Sequence, residues 1–326
     1  MEEITMNYRE RFFNAMDQKH VDRVPVGFWH HFFDENWTGI NNINSHIAYY
    51  NELPLDFIKI MCDGYFEYPF STKIETVSDW KRLKPLGKDS EYVRGQVERA
   101  KIINDHFIAE RACLYNVFVP FTVIRHSLGD EPVMAHLKED PEAVKEGMKV
   151  IAEDTVTLIR ALMEEAKCDG LYLPLQGGEY DRFTPEEYEA IVRPFDKMIY
   201  DLANEYSDYN MSHLCAWAGL KNRLSLWKDV PVKAVNWAVF IEELSLAEGR
   251  EFFGGKTCVG GFDNRPQGIL NTGTEKEIKD YTKKLIDDFG TTRGLILGAD
   301  CTIPATISPD HIRWVIEAAE EYGARD

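Results

Sequence analysis

"GLYLPLQ", residues 170–176, is a short, β-rich apolar run held between two long stretches of helical periodicity. Before it, 141–167 spaces Val144, Met148, Ile151, Val156 and Ile159 as one apolar helix face. After it, 184–206 opens on Thr184 and Pro185, a capping residue followed by a first-turn proline. A strand flanked by helices on both sides must reach its neighbours by crossovers, which makes those neighbours parallel.

The same unit recurs outward in both directions. Upstream lie "VPVGFW" (24–29), "FIKIM" (57–61) and "LYNVFVP" (114–120); downstream lie "YNMSHLC" (209–215), "AVNWAV" (234–239), "CVGGFD" (258–263) and "GLILGADC" (294–301). Further helix starts stand at Thr274, with Glu277 at capping-box spacing, and after "SPD" at 308–310. Eight such units predict an α/β protein, a single (β/α)8 TIM barrel over 1–326, with a doubly wound open sheet as the alternative. Neither glycine-rich phosphate motif of open sheets is found: "GGKTCVGG" (254–261) falls just before and inside a predicted strand. The connection 62–113 is long enough to form a lid or an extra helical layer near the N-terminal side of the barrel.

Hydrophobic residues at 44% and charged residues at 28%, with no low-complexity tract, describe a chain that folds throughout. A formal net charge of −18 argues against nucleic acid as a partner. No apolar span would cross a bilayer, and "MEEITMNYRERFF" (1–13) lacks the pattern of a signal peptide, so the expected location is cytoplasmic. There the six cysteines, Cys62, Cys113, Cys168, Cys215, Cys258 and Cys301, are thiols rather than disulfides.

Two of those thiols carry the functional reading. In a strand, residues i and i+2 share a face, so His213 and Cys215 aim at one point near the strand's C-terminal end, where barrels build their sites. Nine histidines and six cysteines give such a pair in about 0.17 of shuffled chains, so the pair alone is weak. Cys301, ending the last predicted strand, strengthens it. One imidazole and two thiolates suit Zn²⁺ and leave a fourth position for substrate or water, with Glu179 as a candidate for that position at rest. Cys62, Cys168 and Cys258 read as packing residues.

These features resemble the uroporphyrinogen decarboxylase superfamily, and within it the zinc-dependent, corrinoid-linked methyltransferase branch. "DRVPV" (22–26) resembles the family's approach to its first strand, "GGFDN" (260–264) a later turn, and "NTGTEKEI" (271–278) the helix start after it. The spacing of His213, Cys215 and Cys301 matches the branch's zinc ligands, although Ala216 and Thr302 depart from the residues relatives often carry beside them. The resemblance implies a barrel that moves a methyl group between a small methylated substrate, or a thiol or folate acceptor, and the cobalt of a corrinoid (cobalamin) on a partner protein.

A true porphyrinogen decarboxylase would place an arginine-rich stretch after the first strand; here that place reads "GFWHHFFDENW" (27–37). His30 and His31 in this aromatic stretch, Gln176 and Tyr180 after the fourth predicted strand, and Asp263 at the end of the seventh are the candidate substrate-binding residues. Lys59 and Asp63 are further candidates, because a charge inside a barrel strand needs a partner. The rival readings are a carboxy-lyase, a barrel that binds a small ligand without catalysis, and a hydrolase using zinc-bound water with Glu179 as base.

Overall fold

Seven of the eight apolar runs become strands in the computed structural model, which describes residues 5–324. They are β1 (Phe57–Ile60), β2 (Ala112–Asn116), β3 (Gly170–Leu175), β4 (Met211–Leu214), β5 (Ala234–Trp237), β6 (Thr257–Phe262) and β7 (Leu295–Ala299). They form one parallel sheet in sequential order. Met1–Ile4, the start of the N-terminal stretch read above, lies outside the described residues.

The eighth expected strand, 24–29, is corrected to a single bridge between Val26 and Leu297. Pro25 has no N–H to offer a ladder, and only its carbonyl is used, accepting from Leu297 N at 2.8 Å. Gly27 N returns a bond to Leu297 O at 2.9 Å, and Asp56 N donates to Val26 O at 2.9 Å. The run therefore lies between β7 and the approach to β1 without forming a full strand.

The connection from β1 to β2 is partly helical. It holds one α-helix, Glu91–Phe107, and a 3-10 segment, Val77–Arg82, with irregular backbone around Pro69 and Pro85. The expected helix over 184–206 is divided into Pro185–Ile191 and Arg193–Tyr206, since Pro194 cannot supply the N–H that a continuous helix requires. The predicted caps form: Thr184 and Glu187, and Thr274 and Glu277, close reciprocal capping boxes.

Strand alternation divides the core in two. Ile58, Ile60, Tyr115, Leu171, Leu173, Leu175, Val235, Leu295 and Leu297 face the helices in one large apolar cluster. Phe57, Met61, Leu114, Tyr172, Met211, Val259 and Ile296 face inward in a second cluster, joined by Phe12, Ala15 and Met16 of the helix Tyr8–Met16. This inward phase also carries Lys59, His213 and Asn236, so it is the phase on which polar chemistry can sit. No helix among the described residues is long and apolar enough to cross a membrane.

Candidate functional site

His213 lies on β4 with Cys215 just past its end, and Cys301 follows β7 by two residues. Their ligand atoms, one ring nitrogen and two sulfurs, all lie within 4.8 Å of one another. The His213 Nε2 to Cys301 Sγ distance is 3.5 Å. Cys215 N still donates to Leu175 O at 3.0 Å, which extends the parallel pairing and keeps the Cys215 side chain in phase with His213.

The imidazole is oriented by a neighbour that is fixed in turn. Asn236, level with His213 in the β4–β5 register, gives its amide hydrogens to Val259 O at 2.8 Å and Ala299 O at 3.1 Å. Its Oδ1 must therefore face the other way, where it accepts from Tyr172 Oη at 2.9 Å and from His213 Nδ1 at 2.6 Å. The proton is thereby held on Nδ1, and the Nε2 lone pair turns toward the two sulfurs. The Tyr172 ring stacks against the imidazole at 5.9 Å.

The two thiols behave as a pair. The neighbouring Cys215 thiol holds Cys301 well below the usual thiol range, with His213 and Lys59 adding to the effect against burial. The neighbouring Cys301, with burial, holds Cys215 well above that range. Cys301 is thus the more acidic sulfur of the pair. The other cysteines differ: Cys62, Cys113, Cys168 and Cys258 are buried in the outer cluster, and burial pushes the thiols of Cys62, Cys168 and Cys258 up to about 12.

The remaining candidates are not among the converging ligand atoms. Glu179 is fully buried, but its Oε1 accepts from Arg125 Nη1 at 2.7 Å, and it is not among the converging ligand atoms. His31 Nδ1 donates to Asp63 Oδ1 at 2.7 Å, and Asp63 Oδ2 accepts from Phe32 N at 2.9 Å. His30 turns its Nδ1 to His31 O and packs edge-on against Tyr49. Gln176 reaches His126 at 3.4 Å, with its Oε1 buried and unpartnered. Tyr180 is 59% exposed, its ring beneath the Arg223 guanidinium, and Asp263 is engaged by Arg265 at 2.8 Å. The glycines before Asp263 do mark unusual backbone: Gly260 and Gly261 hold φ of 141° and 105°, which side-chain-bearing residues rarely adopt.

Sequence reasoning missed several neighbours. Asn236 and Tyr172 position His213, and His126, Phe118, Phe66 and Trp217 form a connected aromatic wall, with His126 stacked on Phe118 at 4.7 Å. Burial, reinforced by Arg125, lowers the His126 pKa to about 4, so this ring is neutral. An asparagine in the middle of the apolar run "AVNWAV" was the available signal, because a buried amide requires partners.

A parallel α/β sheet with polar chemistry gathered at the C-terminal ends of its strands defines the class of protein. The uroporphyrinogen decarboxylase (URO-D) family model matches residues 64–322, and the chain belongs to that family. Among solved structures, a methyltransferase from Methanosarcina mazei superposes with a TM-score of 0.73 at 15% identity, covering 97% of this chain and 99% of that one. Endo-glycoceramidase II from Rhodococcus sp. superposes at 0.52 with 8% identity, covering 92% and 79%. At these identities the likeness is one of fold. No curated protein matches the sequence.

Proposed function

We propose that the chain is a zinc-dependent methyltransferase that moves a methyl group between a small methylated substrate, or a thiol or folate acceptor, and a corrinoid carried on a partner protein. The convergence of His213, Cys215 and Cys301 within 4.8 Å carries this reading. Family membership and the fold shared with the Methanosarcina mazei methyltransferase support it.

The donor set fits zinc: one imidazole nitrogen freed by a fixed proton on the other, and two converging sulfurs that metal binding would hold as thiolates. Bound there, zinc would supply a Lewis acid that stabilises negative charge on the heteroatom that gains or loses the methyl group. The chain's own residues do the rest. Asn236 and Tyr172 hold the His213 tautomer, while Phe66, Phe118 and Trp217 offer apolar surface that limits water around a small substrate. Arg125 is taken up by Glu179 and by Asp130 at 2.6 Å, so it is not free to bind the carboxylates of a porphyrinogen. That pairing favours methyl transfer over decarboxylation.

Elemental analysis tests the metal half of the proposal. Wild type should hold about one zinc per chain, and Cys215→Ser and Cys301→Ser should each lose it. A zinc-free wild type purified in chelator-free buffer would overturn it. Zinc-replete protein should then transfer a methyl group to or from reduced cobalamin with at least one small thiol or methylated donor.

A further inference from the structure

Lys59 is the third residue of β1 and only 4% exposed. A buried ammonium ordinarily finds a carboxylate or several hydrogen-bond acceptors. Among the described residues, Lys59 Nζ has neither an ion-pair partner nor a hydrogen-bond acceptor. It rests instead on two aromatic faces, 3.7 Å from the Tyr172 ring centroid and 4.7 Å from that of Trp29. Tyr172 is the ring that stacks on His213 and bonds Asn236, so the unpaired cation and the metal-type cluster share one aromatic support.

The groups near Lys59 that can carry negative charge are Cys301, Cys62, Asp63 and Cys215, and burial keeps Cys62 a neutral thiol. Asp63 is committed to His31 and the Phe32 amide, and Cys62 accepts from Asn116. The charges of Cys215 and Cys301 would be balanced by a divalent ion between them. Once the site is loaded, Lys59 has no counter-charge of its own.

We infer that Lys59 reads the charge of the small substrate, its ammonium receiving a carboxylate or similar anion carried a few atoms from the atom that meets Cys215 and Cys301. The inference rests on the metal reading above and narrows its substrate class to small anions. One lysine between two rings suits a single anionic group, whereas a polycarboxylate would need several cations.

Calorimetric titration of the purified chain with mercaptoacetate and with 2-mercaptoethanol tests it, with zinc measured on the same samples. Both probes offer a thiol, and only the first adds a carboxylate. In wild type, mercaptoacetate should bind about tenfold tighter. In Lys59→Met the ratio should fall to about one while zinc content is unchanged; Lys59→Gln serves if Met does not fold. Equal affinities in wild type, a preference that survives both substitutions, or no binding of either thiol to zinc-replete protein would each overturn the inference and leave the metal reading standing. Wild type that holds no zinc would overturn the metal reading and this inference with it.

Discussion

Asp56 and Lys59 are three residues apart, one just before β1 and the other near its C-terminal end, and both are buried, yet the chain treats them in opposite ways. Asp56 is saturated: Arg11 and Arg23 each donate to it at 2.7 Å, and so does the Val26 amide. Arg11 is itself tied to Asp22 at 2.6 Å. Although burial opposes the charge, Asp22 and Asp56 hold the Arg11 guanidinium firmly protonated. At the other end of β1, Lys59 has only ring faces. A fully paired charge network fixes geometry and has nothing left to give a ligand. An unpaired one weakens the fold and keeps its interaction energy for something not yet bound.

Removing each charge should separate the two regions most sharply. Asp56→Ala leaves two buried guanidinium groups facing each other without their shared carboxylate, and should cost about 3–5 kcal/mol in urea unfolding. Lys59→Met should go the other way, leaving stability at pH 7 unchanged or raising it by up to about 2 kcal/mol. A loss in Lys59→Met approaching that of Asp56→Ala would make Lys59 a structural charge and erase the contrast.

The pH dependence sharpens the same point. Burial lowers the Lys59 pKa to about 8 from an ordinary 10.5. Between those values the unfolded chain holds a proton that the folded chain has released, so this group makes stability rise with pH. The burial penalty is present in full below pH 8 and fades as pH climbs toward 10.5. Wild type should therefore gain on the order of 2 kcal/mol from this group across that window, and Lys59→Met should lack the gain. Equilibrium unfolding of both proteins at pH 7.5 and pH 10 reads the difference; identical shifts would show that Lys59 is already neutral or already paired.

The contrast also marks what was readable in the sequence. Strand periodicity located seven strands and put His213 and Cys215 on one face, since those inferences need only local chain geometry. The eighth failed on a local detail, Pro25, whose missing N–H was present in "VPVGFW" and given too little weight. Cys301 could be placed because strand ends in a parallel barrel share one mouth. The partners of Glu179 and Asp263 could not: Arg125 lies in a helix 54 positions away, and Arg265 competes for Asp263 from within its own loop. Asn236 was visible as a polar residue out of place, but its link to His213 depends on the β4–β5 register, which no single strand reveals.

Asn236 makes the smallest of these tests and the finest one, because it asks whether the neutral network at the mouth positions a ligand or merely fills space. Asn236→Leu keeps the volume but removes the acceptor shared by His213 Nδ1 and Tyr172 Oη, so the imidazole is free to change tautomer and turn. Losing such an orienting partner should weaken zinc binding about 10–100-fold, measured by competition with a chromophoric chelator. Asn236→Asp retains the acceptor and should hold zinc within a few-fold of wild type, even though it forfeits the bonds to Val259 and Ala299 and loses stability by about 1–3 kcal/mol. If both variants lost zinc in proportion to their loss of stability, Asn236 would be packing. If Asp kept zinc despite a weakened fold while Leu lost it, the mouth would be specifying the proton on one nitrogen, a task for which the saturated charges around Asp56 have no counterpart.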